Sequence, residues 1–351
     1  MMRILTGFFV KVKSPSKNKY LYMYATIALT FISLSFSSTF GYPIFKFLTS
    51  KIGTFDDLRN PLFFATNYYM NYPDGGINPG NPIEYLYTPF QVAFYSFFSH
   101  FPFRFSLIFL TLLSCGVLFS CVYFYCRKQT LLLFGVFSYP LIFAVSRGND
   151  DLWLVTILLL ALTAIKFGNL RVAGFLFAVL VSFDPLLLIF LIPFFKSVYQ
   201  KFLVRFTAWS IILFLIPLAY FNRSPFVAIQ DLFLSYADYR DGYVAGNGGL
   251  LMGNSFTGVF KAIYLWLSGA NMSHIFSTLI SILGLLLELT LCLVIFLRAR
   301  KDSFDSGNLI LLVCILTLFG GAGADYKLLY FIIPFVFIWG KGGPPHLFYR
   351  Y

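Results

Sequence analysis

The sequence predicts an all-α polytopic membrane protein, and three observations support this fold class. Hydrophobic residues make up 59% of the 351 residues and charged residues only 11%, whereas soluble proteins carry about 25% charged residues. Uncharged runs at residues 105–126 and 129–146 are long enough to cross a hydrocarbon layer of about 30 Å. The net charge is +12, with the cations placed between apolar runs. A soluble globule, a disordered chain and a nucleic-acid-binding protein are therefore disfavoured.

The charges between the apolar runs orient the segments, because Lys and Arg stay on the cytoplasmic side. Five cations precede a run at residues 20–45, which we expect to be a retained first span that leaves the cytoplasm. Residues 46–103 then form a first outer loop with interfacial helices, and residues 104–126 return inward. A tight outward and inward pair follows at residues 130–145 and 152–165.

Residues 171–195 are predicted to form a hairpin of two half-length helices. A single crossing would place the later cations, such as Arg298, outside and so violate the orientation rule. Proline disfavours helical backbone at the residue before it, so the hairpin is expected to break at Asp184-Pro185. Each arm of about 12 residues reaches only about 18 Å, and the tip must therefore be shielded by other helices.

The remaining runs complete one integral membrane domain, residues 1–351, of about ten transmembrane segments with both termini in the cytoplasm. On this topology 17 of the 26 Lys and Arg residues are cytoplasmic, and 11 of the 14 acids lie on the outer side or its approaches. The later parts are an outward run at 206–221, a second outer loop at 222–271, an inward run at 273–297 and a final pair at 309–319 and 328–339.

The two outer loops are too short for an independent catalytic domain, and the chain has no Walker loop or strand-embedded glycine-rich fingerprint. An active site would therefore be assembled from outer loops and helix tops. Its substrates would come from the membrane or from the outer compartment.

Several short patches along the chain carry a family resemblance. They are Asp57-Leu58, Tyr87-Thr88-Pro89, Gly148-Asn149-Asp150-Asp151, Ala173-Gly174, Gly253-Asn254-Ser255-Phe256 and Asp325-Tyr326-Lys327-Leu328-Leu329. In this order the chain resembles glycosyltransferase family 87, the polyprenyl-phosphate-mannose-dependent mannosyltransferases of the GT-C fold. The resemblance implies a GT-C-type bundle that includes short half-helices. One departure is Asp184, which stands where the family often has Lys.

The resemblance also implies a reaction. A hexose, mannose in the family, would pass with inversion from a polyprenyl-phosphate donor to a lipid or glycan acceptor in the outer leaflet or periplasm. A monophosphate leaving group does not require a divalent ion, so we expect no metal and no cofactor.

Asp57 is the predicted general base, with Asp56 as the second choice. A base must lie within hydrogen-bond reach of the acceptor hydroxyl, and both acids fall in the first outer loop. The alternative is structural, because Thr54-x-x-Asp57 fits a helix-capping box.

Three outer cations are candidates for the donor phosphate, which needs fixed positive charge or helix N-termini nearby. They are Arg147, Arg59 and Lys327. The alternative is that each one anchors the interface or pairs with a neighbouring acid.

The candidates for binding the sugar or the acceptor are polar residues of the same outer patches. Asp150 and Asp151 fit equally well as caps of the following helix. The full set is Asp150, Asp151, Asn254, Tyr87 and Asp325.

Glu288 is the one charge well inside a predicted span. An acid at that depth costs about 2.5–3.5 kcal/mol on insertion scales and usually has a partner. It supports the alternative of a membrane transporter or lipid flippase. A non-catalytic membrane subunit is the third possibility.

Overall fold

The computed structural model describes residues 88–126, 149–239, 274–299, 306–319 and 325–339, together with scattered helical residues between them. Every regular element in these ranges is a helix, which confirms the all-helical fold class for the described part of the chain. The predicted first span and the outer loop before residue 88 lie outside the described residues, as does most of the predicted run 130–145.

We number the described α-helices in chain order. The α-helices are α1 (Pro89–Ser99), α2 (Phe103–Cys126), α3 (Asp151–Lys166), α4 (Leu170–Phe183), α5 (Gln200–Tyr220), α6 (Pro225–Tyr239), α7 (His274–Ala299), α8 (Ser306–Phe319) and α9 (Ile332–Trp339). The 3₁₀ helices are Pro185–Phe194, Ser197–Tyr199 and Asp325–Phe331.

Three of the described helices are long and apolar enough to cross a membrane. The apolar stretches are Phe103–Ser120, Gln200–Tyr220 and Thr278–Ala299. Their many exposed Leu, Ile and Phe side chains would be unfavourable in water and are favourable against lipid tails. The chain is therefore a membrane protein, as the composition predicted.

Helix α3 is the centre of the described core. Twelve of its sixteen residues are buried, and it packs against α2, α4 and the Asp325–Phe331 3₁₀ helix. Its two ends are charged, with Asp151 in the first turn and Lys166 in the last. At 1.5 Å per residue, sixteen residues reach about 24 Å.

The predicted helix break at Asp184 is confirmed. Helix α4 ends there in extended backbone, with φ −129° and ψ 103°, as expected for a residue that precedes proline. The following segment differs from the prediction because it is a 3₁₀ helix, Pro185–Phe194, rather than an α-helix. Pro193 lacks an amide hydrogen and its ring would collide with the carbonyl four residues earlier, which disfavours an α-helix there.

Helices α4 and α5 approach each other closely at Gly174. A Cβ atom at this position would lie 2.9 Å from Arg205 Cβ and 3.0 Å from the backbone nitrogen of Phe206. Further along the same contact, the rings of Phe177 and Phe202 meet edge to face at 5.4 Å. The Ala173-Gly174 patch is therefore a packing site between two helices.

The later helices follow the predicted order with two differences. The predicted second outer loop contains helix α6, and the predicted run 328–339 begins as the Asp325–Phe331 3₁₀ helix before α9.

Candidate functional site

Four separate segments meet at the end of the bundle where α3 begins. They are the first turn of α1, the first turn of α3, the break at Asp184 and the Asp325–Phe331 3₁₀ helix. Three carboxylates lie there, and we call Asp150, Asp151 and Asp184 the acid cluster. The predicted topology placed all three near the outer side, and the structure brings them to one end of the bundle.

The start of α3 is organised by the side chain of Asn149, whose Oδ1 accepts a hydrogen bond of 2.8 Å from the amide of Asp151. Asp150 occupies the N-cap position, but its side chain makes no capping hydrogen bond. Instead, Asp150 Oδ2 accepts from Gln91 Nε2 at 3.0 Å and from the Tyr95 hydroxyl at 3.5 Å. The capping role considered for the Asp150 side chain is therefore wrong.

Helix α1 is tied to the site by its own N-cap, Thr88. The Thr88 hydroxyl accepts from the amide of Gln91 at 3.2 Å and donates to the backbone carbonyl of Ser182, near the end of α4. Pro89 occupies the first turn, where proline is well tolerated. These bonds place Gln91 within reach of Asp150.

Lys327 forms an ion pair with Asp184, with 3.1 Å between Nζ and Oδ2. Their side chains are only 10% and 19% exposed, so both charges are largely removed from water. Asp184 Oδ1 also accepts from the amide of Leu186 at 2.9 Å, which caps the Pro185–Phe194 3₁₀ helix. The Asp184 carboxylate therefore both caps this helix and forms the ion pair with Lys327.

The charge state of Lys327 follows from its surroundings. Burial alone would lower the pKa of Lys327, but the charges of Asp184, Asp151 and Asp150 and the hydrogen bond with Asp184 raise the pKa above its ordinary value. The ammonium is therefore protonated throughout the physiological pH range.

Tyr330 holds Asp151, the buried acid of the cluster. Its hydroxyl donates to Asp151 Oδ1 at 2.7 Å, and both residues are buried. The Tyr330 ring lies parallel to that of Phe190, with 6.4 Å between centroids. Tyr330 therefore links the start of α3 to the Pro185–Phe194 3₁₀ helix.

The members of the acid cluster differ in their exposure to solvent. Asp151 is buried, whereas Asp150 is partly exposed. Carboxylate oxygens accept hydrogen bonds from hydroxyl groups, so the exposed part of Asp150 is chemically suited to a sugar or an alcohol. Among the described residues, no group of three or more His, Cys, Asp and Glu side chains is arranged to hold a metal ion.

Three of the predicted site residues, Lys327, Asp150 and Asp151, come together in this cluster. Asp325 begins the 3₁₀ helix that carries Lys327. The remaining candidates lie outside the described residues; they are Asp57, Asp56, Arg59, Tyr87, Arg147 and Asn254. Glu288 lies within α7 and is partly exposed.

Six polar residues that bond at the site were not among the predicted site residues: Thr88, Gln91, Tyr95, Asn149, Asp184 and Tyr330. Gln91 had the clearest signal, because it is a polar residue in an apolar stretch directly after a Tyr-x-Pro patch. Its partner, however, is 59 residues away, and the local pattern does not identify it.

Comparison with protein families gives a match to this chain. The model of glycosyltransferase family 87 matches residues 85–320, about two thirds of the 351 residues. The matched range contains α1 to α8 and ends before the 3₁₀ helix that carries Lys327. Comparison with curated proteins and with solved structures gave no match.

Proposed function

Because the chain belongs to glycosyltransferase family 87 and is therefore a membrane glycosyltransferase, we propose that it transfers a hexose, mannose, from a polyprenyl-phosphate donor. The acceptor is a lipid or glycan in the outer leaflet or the periplasm. The observation that carries this proposal is the acid cluster, because three of the patches that resemble the family contribute to it from distant parts of the chain.

The proposed reaction is a single displacement with inversion at the anomeric carbon. The acceptor oxygen forms a bond to that carbon while the bond to the phosphate oxygen breaks, and a carboxylate takes the acceptor proton. We propose Asp57 as this base, with Asp56 as the second choice. The support is that Asp57 and Thr88 fall in the same predicted outer loop, and Thr88 is bonded at the site.

The phosphate is proposed to bind Arg147 and Arg59, because a guanidinium can grip two phosphate oxygens at once. Arg147 precedes Asn149 by two residues, and Asn149 organises the start of α3. This nearness in the sequence supports Arg147 as a phosphate ligand.

The sugar or the acceptor hydroxyls are proposed to bind Asp150, a partly exposed residue whose carboxylate is held by Gln91. Asp151 is buried and supports its neighbour from within. Tyr87, Asn254 and Asp325 are proposed to contribute further contacts.

Purified protein in lipid vesicles tests the function directly. Polyprenyl-phosphate mannose and a nucleotide-linked mannose are offered as donors, and transfer to a lipid acceptor is measured for the wild type and Asp57→Asn. We expect transfer from the polyprenyl donor only, and a loss of about 100-fold or more in the variant.

The matched control is Asp302→Asn, an acid that the predicted topology puts on the cytoplasmic side. Its transfer rate should equal that of the wild type. Transfer from the nucleotide donor would overturn the proposed donor class, and a full rate with Asp57→Asn would remove Asp57 from the mechanism.

A further inference from the structure

The Asp325–Phe331 3₁₀ helix presents two hydrogen-bond donors to the acid cluster. Lys327 reaches Asp184, and Tyr330 reaches Asp151. We propose that Lys327 and Tyr330 are positioning residues for glycosyl transfer, which fix the acid cluster in place, and that Lys327 is not a ligand of the donor phosphate. This inference rests on the proposed function.

The type of helix explains why both donors point to the same cluster. A 3₁₀ helix has three residues per turn, so residues three apart lie directly in line along one face. Lys327 and Tyr330 are three apart and fall within such a helix. In an α-helix the same spacing would rotate one donor away from the other by about 60°.

The burial of Lys327 argues against phosphate binding. Its ammonium is paired with Asp184 at 3.1 Å, and only 10% of its side chain is exposed. Moving the ammonium to a phosphate would leave the Asp184 carboxylate buried without its partner, and an unpaired buried charge is strongly unfavourable. The raised pKa of Lys327 agrees with an ammonium that is already satisfied by carboxylates.

The two donors act on the substrate through Asp150. Tyr330 holds Asp151 on one side, and Gln91 holds Asp150 on the other. Because these acids are adjacent in the first turn of α3, fixing Asp151 also fixes the direction in which Asp150 projects. Lys327 fixes Asp184, which caps the neighbouring 3₁₀ helix. The ion pair therefore holds together the two 3₁₀ helices beside the acid cluster.

The test is a cycle of variants: Lys327→Met, Asp184→Asn and the two combined. Each single variant leaves one buried group unpaired, so we expect kcat to fall roughly ten-fold or more. The combined variant removes both charges and should recover a large part of that loss. The KM for the polyprenyl-phosphate donor should stay within about two-fold in all three, and Lys327→Arg should retain more activity than Lys327→Met.

Lys201→Met is the matched control, because Lys201 is exposed near the start of α5 and should leave kcat and KM unchanged. If Lys327 were a ligand of the donor phosphate, its removal would weaken donor binding. The positioning role is overturned if Lys327→Met raises the donor KM, if Asp184→Asn does not lower kcat, or if the combination shows no recovery.

Tyr330→Phe tests the second donor, because it removes the hydroxyl and keeps the ring beside Phe190. We expect kcat to fall roughly ten-fold, with little change in donor KM. Tyr199→Phe serves as control, since the ring of Tyr199 packs on Phe194 away from the acid cluster. An unchanged kcat for Tyr330→Phe would overturn its assigned role.

The same variants separate this inference from the proposed function. Wild-type protein that transfers no sugar from the polyprenyl donor overturns the function and the positioning role with it. Wild-type transfer combined with a donor-KM effect of Lys327→Met overturns the positioning role alone.

Discussion

Two adjacent acids at the start of α3 have different environments, although they look alike in the sequence. Asp151 is buried and accepts from Tyr330, whereas Asp150 is partly exposed and accepts from Gln91. The buried acid is suited to holding the helix start, and the partly exposed acid is suited to contacting a ligand. At the scale of single residues, the hydrogen-bond partners therefore distinguish the two acids.

Gln91→Glu should make activity dependent on pH. The introduced carboxylate would lie about 3 Å from Asp150, the present distance between Gln91 Nε2 and Asp150 Oδ2. Two carboxylates that close cannot both ionise easily, so the pKa of one rises. Below that pKa the pair shares a proton and remains bonded; above it the charges repel and displace Asp150. The rate relative to wild type should therefore fall several-fold between about pH 5.5 and pH 8.

The control for this prediction is Gln91→Met, which removes the donor without adding charge. Its rate should be reduced by a similar factor at every pH. A pH-independent ratio for Gln91→Glu would contradict the arrangement of Gln91 and Asp150.

The element scale is best seen where α4 meets α5. The Ala173-Gly174 patch stood out in the sequence through its resemblance to a family, and the structure gives it a packing reason. Only a residue without a side chain lets the backbone of α4 approach Arg205 and Phe206 this closely. This contact fixes α4, and α4 ends at the break that carries Asp184.

Gly174→Ala should destabilise the protein. The added methyl group would lie 2.9 Å from Arg205 Cβ and 3.0 Å from a backbone nitrogen, and overpacking of this kind costs about 1–3 kcal/mol. Gly116→Ala on α2 is the control, because nothing lies within 4 Å of its added Cβ. There the better helix propensity of Ala should stabilise by up to about 1 kcal/mol. Thermal unfolding in detergent measures both, and a fall of the midpoint for Gly116→Ala equal to that for Gly174→Ala would contradict this account.

Over the whole molecule, the sequence predicted the features that depend on residues close together in the chain. The apolar runs marked the helices, and the residue before Pro185 marked the break of α4, because hydrophobic length and proline geometry act within a few residues. The site partners act over much larger separations. Lys327 and Asp184 are 143 residues apart, and Tyr330 and Asp151 are 179 apart. Nothing in the neighbouring sequence specifies these pairs, and so Tyr330 was missed.

The predicted orientation of the bundle can be tested at the two ends of α5. In a variant without its five cysteines, single cysteines are introduced as Ser224→Cys, after the helix, and Val198→Cys, before it. Both positions are exposed. A membrane-impermeant maleimide should label Ser224→Cys in intact cells and Val198→Cys only after lysis, because the cations near residue 198 keep that end in the cytoplasm. The reverse pattern would contradict the predicted orientation of α5.

The charged ends of α3 have a consequence for the depth at which the acid cluster lies. Asp151 and Lys166 are about 22 Å apart along the helix, whereas the hydrocarbon layer is about 30 Å thick. Because α3 is buried among other helices, this difference recesses one end of α3 inside the protein. Lys166 can extend toward its own surface, and the shortfall then falls on the end that carries Asp151. The acids would thus lie below the level of the membrane surface, in a recess of the protein itself.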